Sequence, residues 1–475
     1  MKPSSLTALL FFLSFGFITL LSGAGCANII PPTGGPKDTL PPVLIEAKPA
    51  NYALHFRANR VVLQFDEYLD VKDLHQNLIV SPLFKYDPFI ESKLKTISIK
   101  IKDTLEPNTT YSINFGNSIR DNNEGNILKN FTYVFSTGSY IDSLDYSGRV
   151  IVASTGKVDS TLIVMLHRKT DDDSAVAKSK PRYIAHVNKE GNFTFHFLQA
   201  GTYAIFALQD DNGNHKYLSK AQLFAFSDSP VVVRPDYTPV NLYAFSDTTG
   251  LKTPKKTSSG STAKKPAKEK EKEKRLVVRS NLTQGQVDLL GTLEFQFQTP
   301  LKYFDSTKIR FTDENYADIR QYHFVLDSTK KNLTLIYRWP PQTKYHIIAT
   351  KDFAEDTLGN QLLKTDTISF GTKKESDYGS LRLRFSNLNL SRNPVLEFVQ
   401  GEKIVKSYPF GNSRIFFAKL FIPGEYELRI LYDRNKNGVW DPGDYYKNLQ
   451  PEIVEPIKKK LTVKSNWDND TDINL

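Results

Sequence analysis

The chain has 475 residues, 40% of them hydrophobic and 24% charged, a balance that excludes a wholly disordered or fibrous protein and leaves room for several folded domains. Its single cysteine excludes an internal disulfide framework. The net charge of +10 suggests a nucleic-acid partner, but nine Lys and one Arg against three Glu lie in residues 251–275 alone, so the remainder is near neutral, has no basic face to track phosphate, and no nucleic-acid partner is expected.

The N-terminus carries Lys2 and then an apolar run from Leu6 to Leu21, broken only by Thr7, Ser14, Gly16 and Thr19. It ends in "LSGAGC", and this reads as a secretory signal over residues 1–25, too short and wrongly flanked to span a membrane. The placement of Cys26 after three small residues resembles the lipobox of bacterial lipoproteins. Gly23 departs from that pattern, which usually has a larger aliphatic residue there. The resemblance implies lipidation of Cys26 and a mature chain anchored to a membrane, not spanning it. The segment "PPTGGPKDTLPP" follows, and residues 26–39 read as a Pro/Gly tether.

Beyond the tether the chain repeats itself. "LEPNTTYSINFGNSIRDNNEGN" from Leu105 returns as "WPPQTKYHIIATKDFAEDTLGN" from Trp339, with Pro107, Thr109 and Tyr111 matching Pro341, Thr343 and Tyr345. "LQAGTYAIFALQDDNGN" from Leu198 returns as "FIPGEYELRILYDRNKN" from Phe421. The organisation is therefore A–B–A–B: A1 at 40–138, B1 at 145–247, a Lys-rich disordered linker at 248–276, A2 at 277–373, B2 at 379–465 and a tail at 466–475. "RVVLQF", "TYSINF", "NFTFHF" and "EYELRILY" alternate or form short apolar runs, separated by turn residues such as Asp-Asn-Gly, while helical periodicity is scarce. The fold class expected is all-β, with tandem β-sandwich domains.

The Pro-x-Thr-x-Tyr strand start, the Gly-Asn turn and the closing "FSTG" or "SFGT" of the A modules resemble the bacterial Ig-like domains of S-layer and cell-surface proteins. The B pattern "GNFTFHFLQAGTYAIFALQD" is similar to the prealbumin-like sandwich of carboxypeptidase regulatory domains and surface B-repeats. As a whole the chain resembles Ig-like lipoproteins of Bacteroidetes. That likeness implies a fold and an address, the outer membrane. The lack of an acid after Cys26 ("CANII") favours the periplasmic face over the cell surface. The likeness implies little about the job, because such domains are mostly scaffolds and binding modules.

Catalytic patterns are weak. There is no H-E-x-x-H helix or G-x-S-x-G elbow, and "STGK" at 154–157 reads as a hairpin turn. His196 falls on the strand face opposite Phe193, Phe195 and Phe197 and reads as exposed. Asp66, Glu67 and Asp70 form an acidic cluster that could serve a hydrolase, but A2 has Gln298 and Thr299 in place of the first two. No enzyme and no small-molecule substrate are expected.

The sharper motif is "DRNKNGVWDPGD" at 433–444. An EF-hand-type calcium loop takes oxygen ligands at positions 1, 3, 5, 7, 9 and 12, with Gly at 6. Asp433, Asn435, Asn437, the Val439 carbonyl, Asp441 and Asp444 hold those positions, and Gly438 holds the sixth. The twin loop in B1, "DDNGNHKYLSKA", keeps Asp210, Asn212 and Asn214 but has His215 for Gly438 and Leu218 and Ala221 for the later acids. The expectation is a structural Ca2+ brace in B2 only.

Asp-Ser/Thr followed by a small or aliphatic residue recurs at Thr39, Thr104, Ser143, Ser160, Ser174, Thr248, Ser306, Ser328, Thr357 and Thr367, against about two matches expected from composition. The pattern resembles the O-glycosylation acceptor of Bacteroidetes envelope proteins, and it is also good turn chemistry. The functional expectation is an adhesion, scaffold or complex-accessory protein held to the membrane by lipid, its two A–B arms joined by a spacer that frees the distal arm. The alternatives are calcium-dependent glycan binding, with Tyr445 and Tyr446 stacking on sugar, and hydrolysis at the A1 acids. The partner, protein or glycan, is not named by the residues.

Overall fold

The computed structural model describes residues 37–169, 174–247 and 275–475. The signal segment, Cys26, residues 26–36 of the tether, and Thr248 with the linker up to residue 274 lie outside the described residues. The chain divides into two compact units, Met1–Ser143 and Leu144–Leu475.

The first unit holds A1. Strands Leu44–Lys48, Arg60–Phe65, Thr96–Lys100 and Phe89–Lys93 form one sheet in that order, and Thr132–Ser136, Thr110–Asn114 and Ile79–Ser81 form another. Alternation places Val61, Leu63, Phe65, Ile97 and Ile99 inward to meet Ile113, Phe115, Tyr133 and Phe135 in one core. A small third sheet pairs Leu69–Val71 with Ile119–Asp121 and Ile127–Leu128.

Within the second unit, A2 repeats this plan. Val278–Ser280, Leu293–Phe297, Asn332–Ile336 and His323–Leu326 form one sheet. Gln286–Val287, Asp366–Thr372, Lys344–Ala349 and Ile309–Asp313 form the second, and Leu301–Phe304 with Ala354–Asp356 forms the small extra pair.

The two B modules share a different topology. In B1, Leu144–Val152 pairs antiparallel with Asn192–Leu198 and parallel with Val240–Ala244. In B2, Gly379–Ser386 pairs antiparallel with Ile415–Phe421 and parallel with Asp468–Asn474. The facing sheet in B1 is five-stranded: Tyr183–His186, Leu162–Arg168 and Gly201–Gln209 in that order, with both Phe224–Phe226 and Val231–Val233 pairing to Gly201–Gln209. In B2 it is Lys403–Pro409, Pro394–Gln400, Gly424–Tyr432 and Ile453–Val463. The protein is all-β, a tandem of β-sandwiches.

Two expected boundaries are corrected. Residues 466–475 are not a tail: Asp468–Asn474 is the closing strand of B2, with Ile473 inside and Asp470 and Asp472 outside, both paired with Arg384 at 2.8 and 2.6 Å. Its polar sequence is that of a strand with a wet outer face. The linker ends before Leu276, which is buried in the A2 core and bonds through its N–H to the Gln361 carbonyl.

Candidate metal loop and its surroundings

The strand Gly424–Tyr432 delivers Asp433 into the B2 loop, where its carboxylate is almost fully buried. One oxygen accepts from the backbone N–H groups of Lys436 (2.6 Å) and Asn437 (3.3 Å), and the other from that of Gly438 (2.6 Å). Gly438 has φ +77°, a left-handed conformation costly for any side chain with a Cβ. The side-chain amides of Asn435 and Asn437 donate to one oxygen of Asp441 at 2.6 and 2.8 Å. Their own oxygens accept from the N–H groups of Asn437 and Val439.

Asp444 was expected to close the loop, but both its oxygens are engaged elsewhere. Lys220 of B1 donates to one at 3.0 Å, and the N–H of Tyr446 to the other. The lysine holds the Asp444 carboxyl below its usual range, since this bond outweighs the partial burial. The loop is closed by Glu452, which the motif did not include. It is 3% exposed, and its two oxygens accept from the N–H groups of Arg434 (2.7 Å) and Asp441 (3.1 Å). Burial pushes the Glu452 carboxyl up, and the charges of Asp433 and Asp441 add to the push. Glu452 lies outside the twelve-residue window and reaches the loop only by the return of the chain. Trp440 covers this closure: its indole N–H donates to the Glu452 carbonyl at 2.7 Å, and its ring packs on Val395, Leu431 and Val454.

The B1 twin closes in the same way without the later acids. Asp210 accepts from the N–H groups of Asn214 and His215, both at 2.9 Å. The His215 ring nitrogen Nδ1 lies 2.5 Å from the same carboxylate, and the contacts to His215 outweigh burial to hold Asp210 below its usual range. An imidazole thus sits where B2 has a glycine.

Tyr445 is not offered to sugar. Its ring packs edge-on against Phe206, Phe224 and Phe226 of B1 at 5.7, 5.4 and 5.3 Å between centroids. Tyr446 is exposed and stacks on Tyr217 at 6.4 Å. This contact also corrects the expectation of a freed distal arm, because B2 rests on B1. The aromatics that dock it lie more than two hundred residues apart in sequence and leave no local pattern.

In A1 the acids regroup. Asp66 accepts from the Val43 N–H and Asp70 pairs with Lys72, while Glu67 meets Asp121 and Glu124, with carboxylate oxygens within 4.8 Å of one another. Burial, then the charges of Asp66, Asp38, Asp121 and Glu124, push Glu67 up. Burial also pushes Asp121 up, but four backbone N–H groups, of Glu124, Gly125, Asn126 and Asn123, outweigh it and hold the group below its usual range. In A2, Asp356 anchors the matching Gly-Asn turn by accepting from Leu358 and Asn360. The turn anchor is therefore common to both A modules, and the added acids belong to A1.

Of the Asp-Ser/Thr positions, Thr39, Thr104, Ser143, Ser160, Ser306, Ser328, Thr357 and Thr367 are exposed and Ser174 is half-buried. Asp38, Asp159, Asp305 and Asp356 each accept from the N–H two residues on, so turn chemistry accounts for much of the recurrence. "STGK" is a turn, closed by the Val152 N–H on the Lys157 carbonyl. His196 is exposed, 3.1 Å from Asp145.

No helix among the described residues is long and apolar enough to cross a membrane. No curated protein matches the chain. Among solved structures it is similar to BcpA, the major pilin subunit of Bacillus cereus, at 8% identity over 70% of this chain and 99% of that one, with a TM-score of 0.17. The Bacillus anthracis TIE protein gives 9% identity, 93% and 75% coverage and a TM-score of 0.17. The N-terminal part of the bacterial S-layer protein SbsC gives 12%, 44% and 44%, and 0.16. Likenesses this faint say nothing of what the chain does. Two family patterns match parts of it: residues 38–137 match the bacterial Ig-like domain, and residues 150–251 match a family described as an uncharacterized protein conserved in bacteria (DUF2141).

Proposed function

We propose that the protein is a non-enzymatic, lipid-anchored component of the outer membrane that presents Ig-like modules as an adhesion, scaffold or complex-accessory subunit. The observation that carries this reading is the start of the bacterial Ig-like match at residue 38, twelve residues past Cys26, with a Pro/Gly tether between them. Metabolic labelling with an alkyne fatty acid tests the anchor: wild type takes up label and sediments with outer membrane, and Cys26→Ala does neither. Label retained by Cys26→Ala would remove the anchor. Protease shaving of intact cells decides between the periplasmic face, which the absence of an acid after Cys26 favours, and the outer surface. Cross-linking in the native membrane identifies the partner. Intact-mass measurement on material from its own host reads sugar on the exposed Asp-Ser/Thr sites.

The B2 loop acts as a structural calcium brace in this reading. What supports it is the oxygen chemistry of the loop: Asp433, Asp441 and the buried Glu452 stand near enough for the charges of the first two to act on the third, and the loop also carries Asn435, Asn437 and the Val439 carbonyl. This is an all-oxygen donor set of the kind hard cations take. A divalent cation there would offset the burial that raises Glu452 and the charges of Asp433 and Asp441 that add to it. Calcium-dependent glycan binding is the weaker alternative, since Tyr445 is occupied by B1.

A further inference from the structure

We propose that B1 and B2 form a clasp by non-covalent contact, so that the second unit stays one particle when the segment joining B1 to A2 is cut. The outer face of a sheet in a sandwich normally stays wet. In B1 it does not. Tyr203, Ile205 and Ala207 point into the B1 core, yet Phe206 and Leu208 on the opposite face are also buried, as are Phe224 and Phe226 beside them. Tyr217 stacks on Phe224 at 4.0 Å from within B1, and Tyr445 of B2 closes the patch. In B2, Val395, Leu431 and Val454 are buried outside the sandwich core, beneath Trp440.

Polar contacts fix the register of the two modules. Lys220 holds Asp444 at 3.0 Å, and the Gln450 side chain donates to the Phe226 carbonyl at 3.0 Å and to Asp228 at 2.7 Å. The Val454 N–H donates to the Ala153 carbonyl at 2.9 Å, and Lys157 faces Glu427 at 3.5 Å. Two glycines mark where the modules come closest. A Cβ on Gly156, at φ +66°, would collide with Pro456 and the Val454 carbonyl, and one on Gly443 would lie 2.7 Å from the Phe245 ring. A2 is joined to B2 with only residues 374–378 between them, and Tyr378 donates to Asp288 of A2 at 2.8 Å while accepting from the Leu289 N–H. Because the only cysteine is Cys26, no disulfide backs the contact. Tethering makes the docking intramolecular, which raises the effective concentration of B2 at B1.

The test uses the full mature chain with a protease site inserted in residues 251–274. After cutting, the halves are expected to co-elute as one particle and to part only in denaturant. Tyr445→Ala and Lys220→Glu should each weaken the association of the cut halves by about tenfold or more. Lys220→Asp combined with Asp444→Lys should restore it. Halves that separate while each keeps its native circular dichroism would overturn the clasp. A second reading needs no cut: hydrogen exchange in the intact chain should speed up at Phe224–Phe226 in Tyr445→Ala, and unchanged protection there would equally refute it.

Discussion

At the scale of single residues, the buried carboxylates show how one side chain serves two masters. Asp121 satisfies four backbone donors, and replacing it by Asn removes a charged acceptor from them, at a cost of about 1–3 kcal/mol in A1. Its folded pKa lies below the unfolded value, so its stabilisation is full above about pH 4 and is lost as pH falls through the folded value. Urea midpoints measured between pH 7 and pH 2 should therefore converge for wild type and Asp121→Asn at the acid end, and a constant gap would contradict the assignment. Asp433 makes a different prediction. Calcium at high micromolar to millimolar levels, the range of extracellular modules, should raise the melting temperature of B2, with about 1.4 kcal/mol gained at ten times Kd. Asp433→Ala should erase the shift, and equal melting of wild type in calcium and in chelator would end the brace reading. Asp433, Asn435, Asn437 and Asp441, named from their spacing, do meet in the hydrogen bonds of one loop. Glu452 could not be named in this way, because it reaches the site through strand pairing and carries no local signal.

At the scale of elements, the edge strand Ile453–Val463 is built in a way that disfavours pairing with strands from other copies. Its register with Gly424–Tyr432 passes from Leu428↔Ile457 to Tyr426↔Leu461, so three residues, Lys458, Lys459 and Lys460, stand opposite a single one. The bulge puts three exposed lysines on an open edge, which blunts it against further pairing. Replacing all three by Thr should produce concentration-dependent association in light scattering, and a monomer at every concentration would argue that the lysines have another purpose. The strands themselves were largely readable, since "RVVLQF" and "NFTFHF" alternate as a half-buried sheet requires. Asp468–Asn474 was not, because six of its seven residues are polar and only Ile473 reports the core.

At the scale of the whole chain, the division into Met1–Ser143 and Leu144–Leu475 predicts that A1 is thermodynamically independent. A fragment spanning residues 37–143 should melt cooperatively at the temperature its transition shows in the full chain. A fragment that stays unfolded would mean that A1 borrows stability from its neighbour. The A–B–A–B plan was legible because each module repeats its own turn and strand motifs. The docking of B2 on B1 was not, because Tyr445 and Phe224 meet across an intervening module and neither looks unusual in its local sequence.

The seat of Trp440 carries a practical consequence. The chain has three tryptophans: Trp339 in the A2 core, Trp467 exposed, and Trp440 lying over the loop with its indole on the Glu452 carbonyl. B1 has none. Replacing Trp339 and Trp467 by Phe leaves one fluorophore, fixed at the junction of loop and sheet. In the purified protein its emission wavelength then reads directly whether added calcium changes the surroundings of the loop, and an emission unmoved by calcium would count against the brace.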